Sequence, residues 1–122
     1  MSVTDVANSL VDLCRQGKFM DAINQHYSDN IVSVEPVGNE AMPAEMSGID
    51  AIRGKNQWWA ENHEVHGLTV DGPFVGDGQF AARFTIDLTP KMTGQRTTMI
   101  EVGIYTVEND KIIKEEFYYN AP

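Results

Sequence analysis

The sequence has little positive charge and no long apolar segment, and each shortage argues against a class of protein. Nine lysine and arginine residues stand against eighteen aspartate and glutamate residues, which gives a formal net charge of −9. Binding to a phosphate backbone or an anionic membrane needs clustered basic residues, so we expect neither nucleic acid nor membrane as a partner. No apolar run approaches the ~20 residues that span a bilayer, and no secretory signal is visible. A cytoplasmic protein is therefore expected.

Cysteine and the common catalytic motifs are also scarce. Cys14 is the single cysteine, which excludes an internal disulfide, and it falls on the apolar face of the first predicted helix. We interpret it as core packing rather than as a nucleophile. The glycines between Gly72 and Gly78 lack the lysine and hydroxyl residue of a phosphate loop, and no Gly-x-Ser-x-Gly motif is present. Nucleotide cofactors and covalent hydrolysis are therefore not expected, and the predicted site uses no cofactor.

Histidine spacing gives only a weak metal signal. His63 and His66 are three residues apart, but the predicted third helix ends between them, so they need not share a face. A third ligand at a suitable spacing is not evident. We expect no metal site here, and His63 is interpreted either as a structural histidine or as a donor in a pocket.

The pattern of apolar residues and turn residues predicts one α+β domain over residues 1–122. Helices come first, and antiparallel hairpin strands come last. Ser2 with Asp5 and Ser47 with Asp50 are each predicted to form a capping box at a helix start. The predicted helices are 2–16, 18–27 and 48–62, and the predicted strands are 31–35, 64–70, 79–89, 96–108 and 111–119. Residues 37–46 are predicted to be a long loop, either across the mouth of a site or simply mobile.

Strict alternation marks the strand from Gln79 to Thr89. One face carries only apolar side chains, whereas the other face includes Arg83 and Asp87. A face with such charges is either exposed to solvent or lines a pocket. Arg83 is a candidate to bind a substrate carboxylate, with a cross-strand ion pair to Glu101 as the alternative.

Several segments together resemble a known family. They are Gly17-Lys-Phe-Met-Asp-Ala-Ile23, Tyr27-Ser-Asp-Asn-Ile-Val-Ser-Val34, Gly48-Ile-Asp-Ala-Ile-Arg53 and the closing stretch from Tyr105 to Tyr118. The chain resembles the SnoaL-like branch of the nuclear-transport-factor-2-like superfamily over nearly its whole length. One departure is Asn109-Asp110 in the last turn, where the family usually has Asp-Gly.

The resemblance implies a cone-shaped, curved, mixed or antiparallel sheet that wraps around helices and leaves an apolar pocket. It also implies a homodimer formed through the sheets. Catalytic members of this family carry a carboxylate deep in the cone. The same fold hosts isomerases, cyclases, dehydratases, hydrolases and non-catalytic modules, so the resemblance is specific for fold rather than for reaction.

Four residues are candidates for catalysis. Glu101 lies between Ile100 and Val102 in mid-strand, near the position where catalytic relatives often carry an acid. If it faces inward, burial would raise its pKa towards that of a useful general base; an exposed glutamate, or one facing a dimer partner, is the alternative. Asp87 is the second candidate base. Tyr27 is a candidate donor to an oxyanion by analogy with the steroid-isomerase relatives, with a half-buried tyrosine that anchors the helix end as the alternative. His63 is a second candidate donor, because it shares a helical stripe with Trp59.

Six residues are candidates for ligand binding, and most have an ordinary structural alternative. Trp58 and Trp59 are adjacent, so one should face the cone and the other its rim. An aromatic-rich interior suits a flat apolar ligand, but an ordinary aromatic core is the commoner explanation. The candidate ligand-binding residues are Glu35, Trp58, Trp59, Arg83, Phe84 and Tyr118.

The sequence therefore favours a small-molecule pocket protein. The leading hypothesis is a cofactor-independent isomerase, cyclase or dehydratase that uses a pocket carboxylate on an apolar carbonyl compound. The alternative is a non-catalytic ligand-binding protein or a dimeric interaction module of the same fold.

Overall fold

A curved six-stranded sheet and three helices make up residues 1–120, the part of the chain that the computed structural model describes. This architecture confirms the predicted α+β class. The helices are α1 (Val3–Arg15), α2 (Phe19–His26) and α3 (Ile49–Asn62). The strands are β1 (Tyr27–Val34), β2 (Glu45–Ser47), β3 (His63–Val75), β4 (Gln79–Pro90), β5 (Thr97–Glu108) and β6 (Lys111–Tyr118). No helix in this range is both long and apolar enough to cross a membrane.

The sheet is mixed, because one pair of neighbouring strands runs parallel. Its strand order is β2-β1-β6-β5-β4-β3, and β1 pairs with β6 in parallel while the other neighbours are antiparallel. The parallel pair places Ser33 directly opposite Glu115. Residues from both halves of the sequence therefore meet on the concave face of the sheet.

Helix α1 begins as its sequence predicts. The Ser2 side chain accepts a hydrogen bond from the backbone of Asp5, and the Asp5 side chain accepts one from the backbone of Ser2. These reciprocal bonds satisfy amide groups that the first helical turn leaves unpaired. Five buried residues then recur at helical spacing and fix the helix against the sheet: Val6, Ala7, Leu10, Val11 and Cys14.

Helix α3 begins differently, and the capping box predicted at Ser47 is wrong. Ser47 belongs to β2 and pairs with Val32 of β1, so it is not free to cap a helix. Gly48 takes the N-cap position with φ of +91° and makes no side-chain cap. This left-handed conformation suits glycine, and it turns the chain sharply from the strand into the helix.

The alternation predicted along β4 is confirmed, and it decides which way the next strand faces. The buried residues are Phe80, Ala82, Phe84, Ile86 and Leu88, all at most 6% exposed. Phe84 pairs with Glu101 in the β4–β5 ladder, so both side chains leave the sheet on the same face. Glu101 therefore points towards the helices, not towards the outer face of the sheet.

Candidate functional site

A cavity of about 140 Å³ lies between the concave face of the sheet and the three helices. Most of its wall is apolar, and it includes Trp59 of α3 and Phe84 of β4. The polar part of the wall consists of Tyr27, Glu35, Lys55, Asn56, Glu101, Tyr105 and Glu115. An apolar cavity of ~150 Å³ can hold benzene, so this volume corresponds to a compound of one ring.

The Glu101 side chain lines this cavity, and its carboxyl group makes no hydrogen bond or ion pair with any other residue in the range 1–120. Burial, with smaller contributions from the neighbouring carboxyl groups of Glu35 and Glu115, raises its pKa to about 7 against the opposing effect of Lys55. A carboxyl group with this pKa is half ionised near neutral pH. It can therefore both accept and return a proton.

Glu115 is more deeply buried and is held by two hydroxyl groups. The Ser33 hydroxyl donates to Oε2 at 2.7 Å, and the Tyr27 hydroxyl donates to Oε1. Burial raises the pKa of Glu115, whereas Lys55 and the two hydroxyl donors oppose that rise. Because these bonds fix both oxygens, Glu115 is suited to support the cavity wall rather than to move towards a ligand.

Lys55 joins this group from α3. Its Nζ donates to Ser33 Oγ at 2.6 Å and to Glu35 Oε1 at 3.2 Å, and it lies 3.9 Å from Glu115 Oε2. It is the only lysine or arginine on the cavity wall within residues 1–120. Three carboxylates and one ammonium would leave a net charge of −2, and this imbalance favours keeping protons on Glu101 and Glu115.

Glu35 leaves one acceptor unused. Its Oε2 is buried and has no hydrogen-bond partner within the described range. Tyr119 lies close enough that burial and the Glu35 carboxylate raise the pKa of its phenol, but its hydroxyl does not complete a hydrogen bond to this oxygen. A ligand with an O–H or N–H group could therefore satisfy Glu35 Oε2.

His63 lies outside the cavity, although it is fixed to one of its walls. Its ring stacks on Trp59 at 4.3 Å, and Nδ1 hydrogen-bonds the Trp59 carbonyl at 2.7 Å. His63 lines an outer depression that shares Phe19, Asn56 and Trp59 with the cavity. The histidine can orient Trp59 at this boundary, but it is not among the groups around Glu101.

Besides His63, four predicted site residues lie away from the cavity. Strand alternation turns Arg83 and Asp87 to the outer face, opposite to Phe84. Arg83 approaches Asp71 at 3.4 Å, so the alternative prediction of an ion pair with Glu101 is wrong. Trp58 is 46% exposed and Tyr118 is 54% exposed, so neither belongs to the cavity wall.

Asp87 has a different partner. Arg96 donates two hydrogen bonds to its carboxylate, at 2.9 and 2.7 Å, and this contact lowers the pKa of Asp87. A paired, ionised carboxylate on the outer face is remote from any ligand in the cavity. Of the two acids predicted as bases, the cavity contains Glu101 alone.

Sequence inspection overlooked Ser33, Lys55, Tyr105 and Glu115, although two of them had a readable signal. Lys55 follows Ile52 by three residues, so it lies on the same helical stripe. Glu115 precedes Phe117 by two residues and shares its face of β6. Ser33 gains its role only from the parallel β1–β6 pairing, which no local pattern reveals.

Nucleophilic and metal chemistry have little support in the cavity. Burial, with smaller contributions from Glu115 and Glu101, raises the pKa of Cys14 to about 12, so the thiol stays protonated. Within residues 1–120, no three histidine, cysteine or acidic side chains are arranged to hold a metal ion. The arrangement instead provides one available carboxyl group in an apolar chamber, which is suited to proton transfer.

Comparison with known families agrees with this architecture. The family profile for the SnoaL-like domain matches residues 1–119. The chain belongs to the SnoaL-like domain family. Comparison with curated protein sequences gives no match.

Among solved structures, a SnoaL-like protein from Mesorhizobium loti is similar over the full length. Its provisional name is polyketide cyclase, with carbohydrate phosphatase added in brackets. It is 47% identical, superposes with a TM-score of 0.93, and the match covers 98% of this chain and 100% of that one.

More distant structures share the fold. A nuclear-transport-factor-2-like protein of unknown function from Burkholderia pseudomallei is 13% identical, with a TM-score of 0.77 and coverage of 98% and 92%. A protein from Bacillus subtilis with the provisional name isomerase is 16% identical, with a TM-score of 0.74 and coverage of 96% and 85%. At such identities the likeness concerns the fold alone.

Proposed function

We propose that this SnoaL-like protein is a cofactor-independent enzyme that transfers a proton at the carbon next to the carbonyl group of a small ring compound. The observation that carries this proposal is Glu101, a carboxyl group without a partner among residues 1–120, with a pKa of about 7, in an apolar cavity. A base is most effective when its pKa lies near the working pH, because it is then both available and able to release its proton.

The proposed reaction requires only the substrate and the Glu101 carboxyl group. Ionised Glu101 removes a proton from the α-carbon; the electron pair of the broken C–H bond forms a C=C bond, and the π pair of the carbonyl group moves onto its oxygen as an enolate. In a β,γ-unsaturated ketone, protonated Glu101 then returns the proton to the γ-carbon, the carbonyl group re-forms and the C=C bond moves into conjugation. In a β-hydroxy ketone, it protonates the β-hydroxyl group, the C–O bond breaks, and water leaves as the carbonyl group re-forms next to the new C=C bond. Trp59 and Phe84 form an apolar part of the cavity wall, and such surroundings would strengthen the electrostatic interactions of this step.

Size and charge narrow the substrate class. The volume of about 140 Å³ admits one ring rather than a fused system. Lys55 already contacts Glu35, so a carboxylate substrate would meet three acids and find no unengaged cation on the wall within residues 1–120. We therefore infer an uncharged carbonyl compound, and Glu35 Oε2 could receive a donor group of that compound.

Exchange of α-protons tests the chemical step without knowledge of the natural substrate. Cyclohexanone in D₂O would be followed by proton NMR with catalytic amounts of protein. We expect the native protein to accelerate exchange and Glu101→Gln to reduce that acceleration by ~10²–10⁴-fold, as for loss of a general base.

Two further variants make this experiment decisive. Glu108→Gln changes an exposed glutamate on the same strand and should leave exchange unchanged. Asp87→Asn removes the other acid predicted as a base, and it should also have no effect. Loss of exchange in Asp87→Asn but not in Glu101→Gln would overturn the assignment, and ketone binding without exchange by the native protein would favour a non-catalytic binder.

We also propose that the protein is a homodimer formed through the outer face of the sheet. Ile100 is 47% exposed there, and Tyr118 pairs with Val102 on the neighbouring strand. These side chains form an apolar surface that a second copy could cover.

A further inference from the structure

Tyr105 lies on the same inward face of β5 as Glu101, four residues further along the strand. Only 2% of it is exposed, and its ring is held in place from two sides. Phe80 stacks on the ring at 4.8 Å, and Phe117 meets it edge-on at 6.2 Å. The orientation of Tyr105 is therefore fixed before any ligand arrives.

Gly103 lies between these two residues and explains where the phenol points. A Cβ atom added to Gly103 would lie 2.9 Å from both the hydroxyl oxygen and Cε2 of Tyr105. The Tyr105 phenol thus lies across the bare backbone of Gly103, the residue midway between Tyr105 and Glu101 on this face of the strand. Residues i and i+2 of a strand are ~7 Å apart, so the hydroxyl lies about one such step from Glu101, on the wall of the same cavity.

The two tyrosines of the cavity wall differ in what their hydroxyl groups do. Tyr27 donates its proton to Glu115, whereas the Tyr105 hydroxyl has no hydrogen-bond partner in the range 1–120. Burial raises the pKa of Tyr105 well above its ordinary value, and nearby carboxylates add to this effect. Tyr105 therefore keeps its proton and presents a free donor inside the cavity.

We propose that the Tyr105 hydroxyl donates a hydrogen bond to the carbonyl oxygen of the substrate and stabilises the enolate formed when Glu101 removes the α-proton. Gly103 is then a positioning residue, because only a residue without a side chain leaves room for the phenol. This inference rests on the proposed function, and it assigns to Tyr105 the donor function predicted for Tyr27 and His63. Tyr105 shares its proton but does not lose it.

The carbonyl stretching band of bound ¹³C=O-labelled cyclohexanone tests this contact directly. A hydrogen bond to the oxygen lowers the stretching frequency, so we expect a downshifted band in the native protein that is absent in Tyr105→Phe. Glu101→Gln should retain the downshift, since the donor is intact there. Removal of one such donor should also slow α-proton exchange by ~10²–10³-fold, with little change in ketone Kd.

Two control variants separate this function from a general role in packing. Tyr118→Phe removes an exposed phenol and should alter neither the band nor the exchange rate. Gly103→Ala should displace the Tyr105 ring and diminish the downshift while the protein remains folded by circular dichroism.

The outcomes distinguish this inference from the function on which it rests. An unshifted band with exchange that depends on Glu101 would overturn the assignment of Tyr105 and leave the proposed function standing. A shifted band without exchange would support the Tyr105 contact and contradict catalysis. Absence of any ketone binding, measured by thermal shift, would overturn both.

Discussion

Among individual residues, Glu101 makes stability depend on pH in an unusual direction. Its pKa rises from an ordinary value of 4.5 to about 7 on folding, so the folded protein holds the proton more tightly than the unfolded chain. The contribution of Glu101 to stability is therefore complete below pH 4.5 and is lost as the pH rises through 7. At ~1.4 kcal/mol per pH unit, the loss over this range amounts to roughly 3–4 kcal/mol.

Urea unfolding between pH 5 and pH 8 checks this prediction. We expect Glu101→Gln to flatten the decline in the free energy of unfolding and to be more stable than the native protein at pH 8. Glu115 has a pKa that burial raises as well, so part of the decline should persist in the variant. The exposed substitution Glu108→Gln should follow the native curve, and an equal effect of both variants would contradict the prediction.

Ionisation of Glu101 also sets the pH dependence of catalysis, but in the opposite direction: activity should rise with pH, whereas stability falls. Only ionised Glu101 can remove a proton, so the rate of α-proton exchange should rise with pH through about 7 and then reach a plateau. Measurement of kcat/KM between pH 5 and pH 9 checks the midpoint. A midpoint near the ordinary glutamate pKa would exclude Glu101 as the base.

Lys55 gives a second prediction for a single residue. Its removal in Lys55→Met leaves Glu35 and Glu115 without their shared cation, and loss of one partner of a buried ion pair typically costs ~3–5 kcal/mol. Lys114 is a suitable control, since it forms a more exposed pair with Glu116 at 3.8 Å. Lys114→Met should cost less than ~1 kcal/mol in urea unfolding, and equal losses would contradict a central function for Lys55.

Among the secondary-structure elements, the two helix starts should differ in their sensitivity to substitution. Ser2→Ala removes one side of the capping box of α1 and should cost about 1 kcal/mol in the free energy of unfolding. Ser47→Ala removes a similar hydroxyl from β2, where it caps nothing, and should cost less than ~0.5 kcal/mol. Thermal or urea unfolding of both variants compares them, and the reverse order would contradict the assigned caps.

Local patterns predicted the elements well where one residue type dominates. Alternation in Gln79–Thr89 anticipated the buried face of β4, and Ser2 with Asp5 anticipated the start of α1. The same residue types at Ser47 and Asp50 misled, because pairing with β1 determines the conformation of Ser47. A local sequence pattern fails to predict the structure where pairing with a distant segment, here β1, determines the backbone conformation.

The site could be predicted only in part for the same reason. Glu101 was identified from an acid in an apolar strand together with a family resemblance. Its direction became evident only from the register with Phe84. The surroundings that raise its pKa include Glu35, just after β1, and Glu115 of β6, which the fold brings together from positions far apart in sequence.

At the scale of the whole molecule, we expect a dimer through the outer face of the sheet, and one charged substitution in that face should disrupt it. Ile100→Lys places an ammonium group in the proposed apolar interface, and burial of that charge without a partner is unfavourable. We expect a dimer for the native protein and a monomer for this variant in analytical ultracentrifugation. Met92→Lys, in an exposed turn outside the sheet, should remain dimeric, and a monomeric native protein would contradict the proposal.

The parallel pairing of β1 with β6 couples ligand binding to the stability of segments that are far apart in the sequence. The hydrogen bonds from Tyr27 and Ser33 to Glu115 join residues that are 88 and 82 positions apart. Detachment of either strand would open the cavity wall, so a bound ligand must favour the fully closed state. At 100 times its Kd, a ligand adds ~2.7 kcal/mol to stability. Amide hydrogen exchange should then slow in both strands at once, including segments that the ligand never touches.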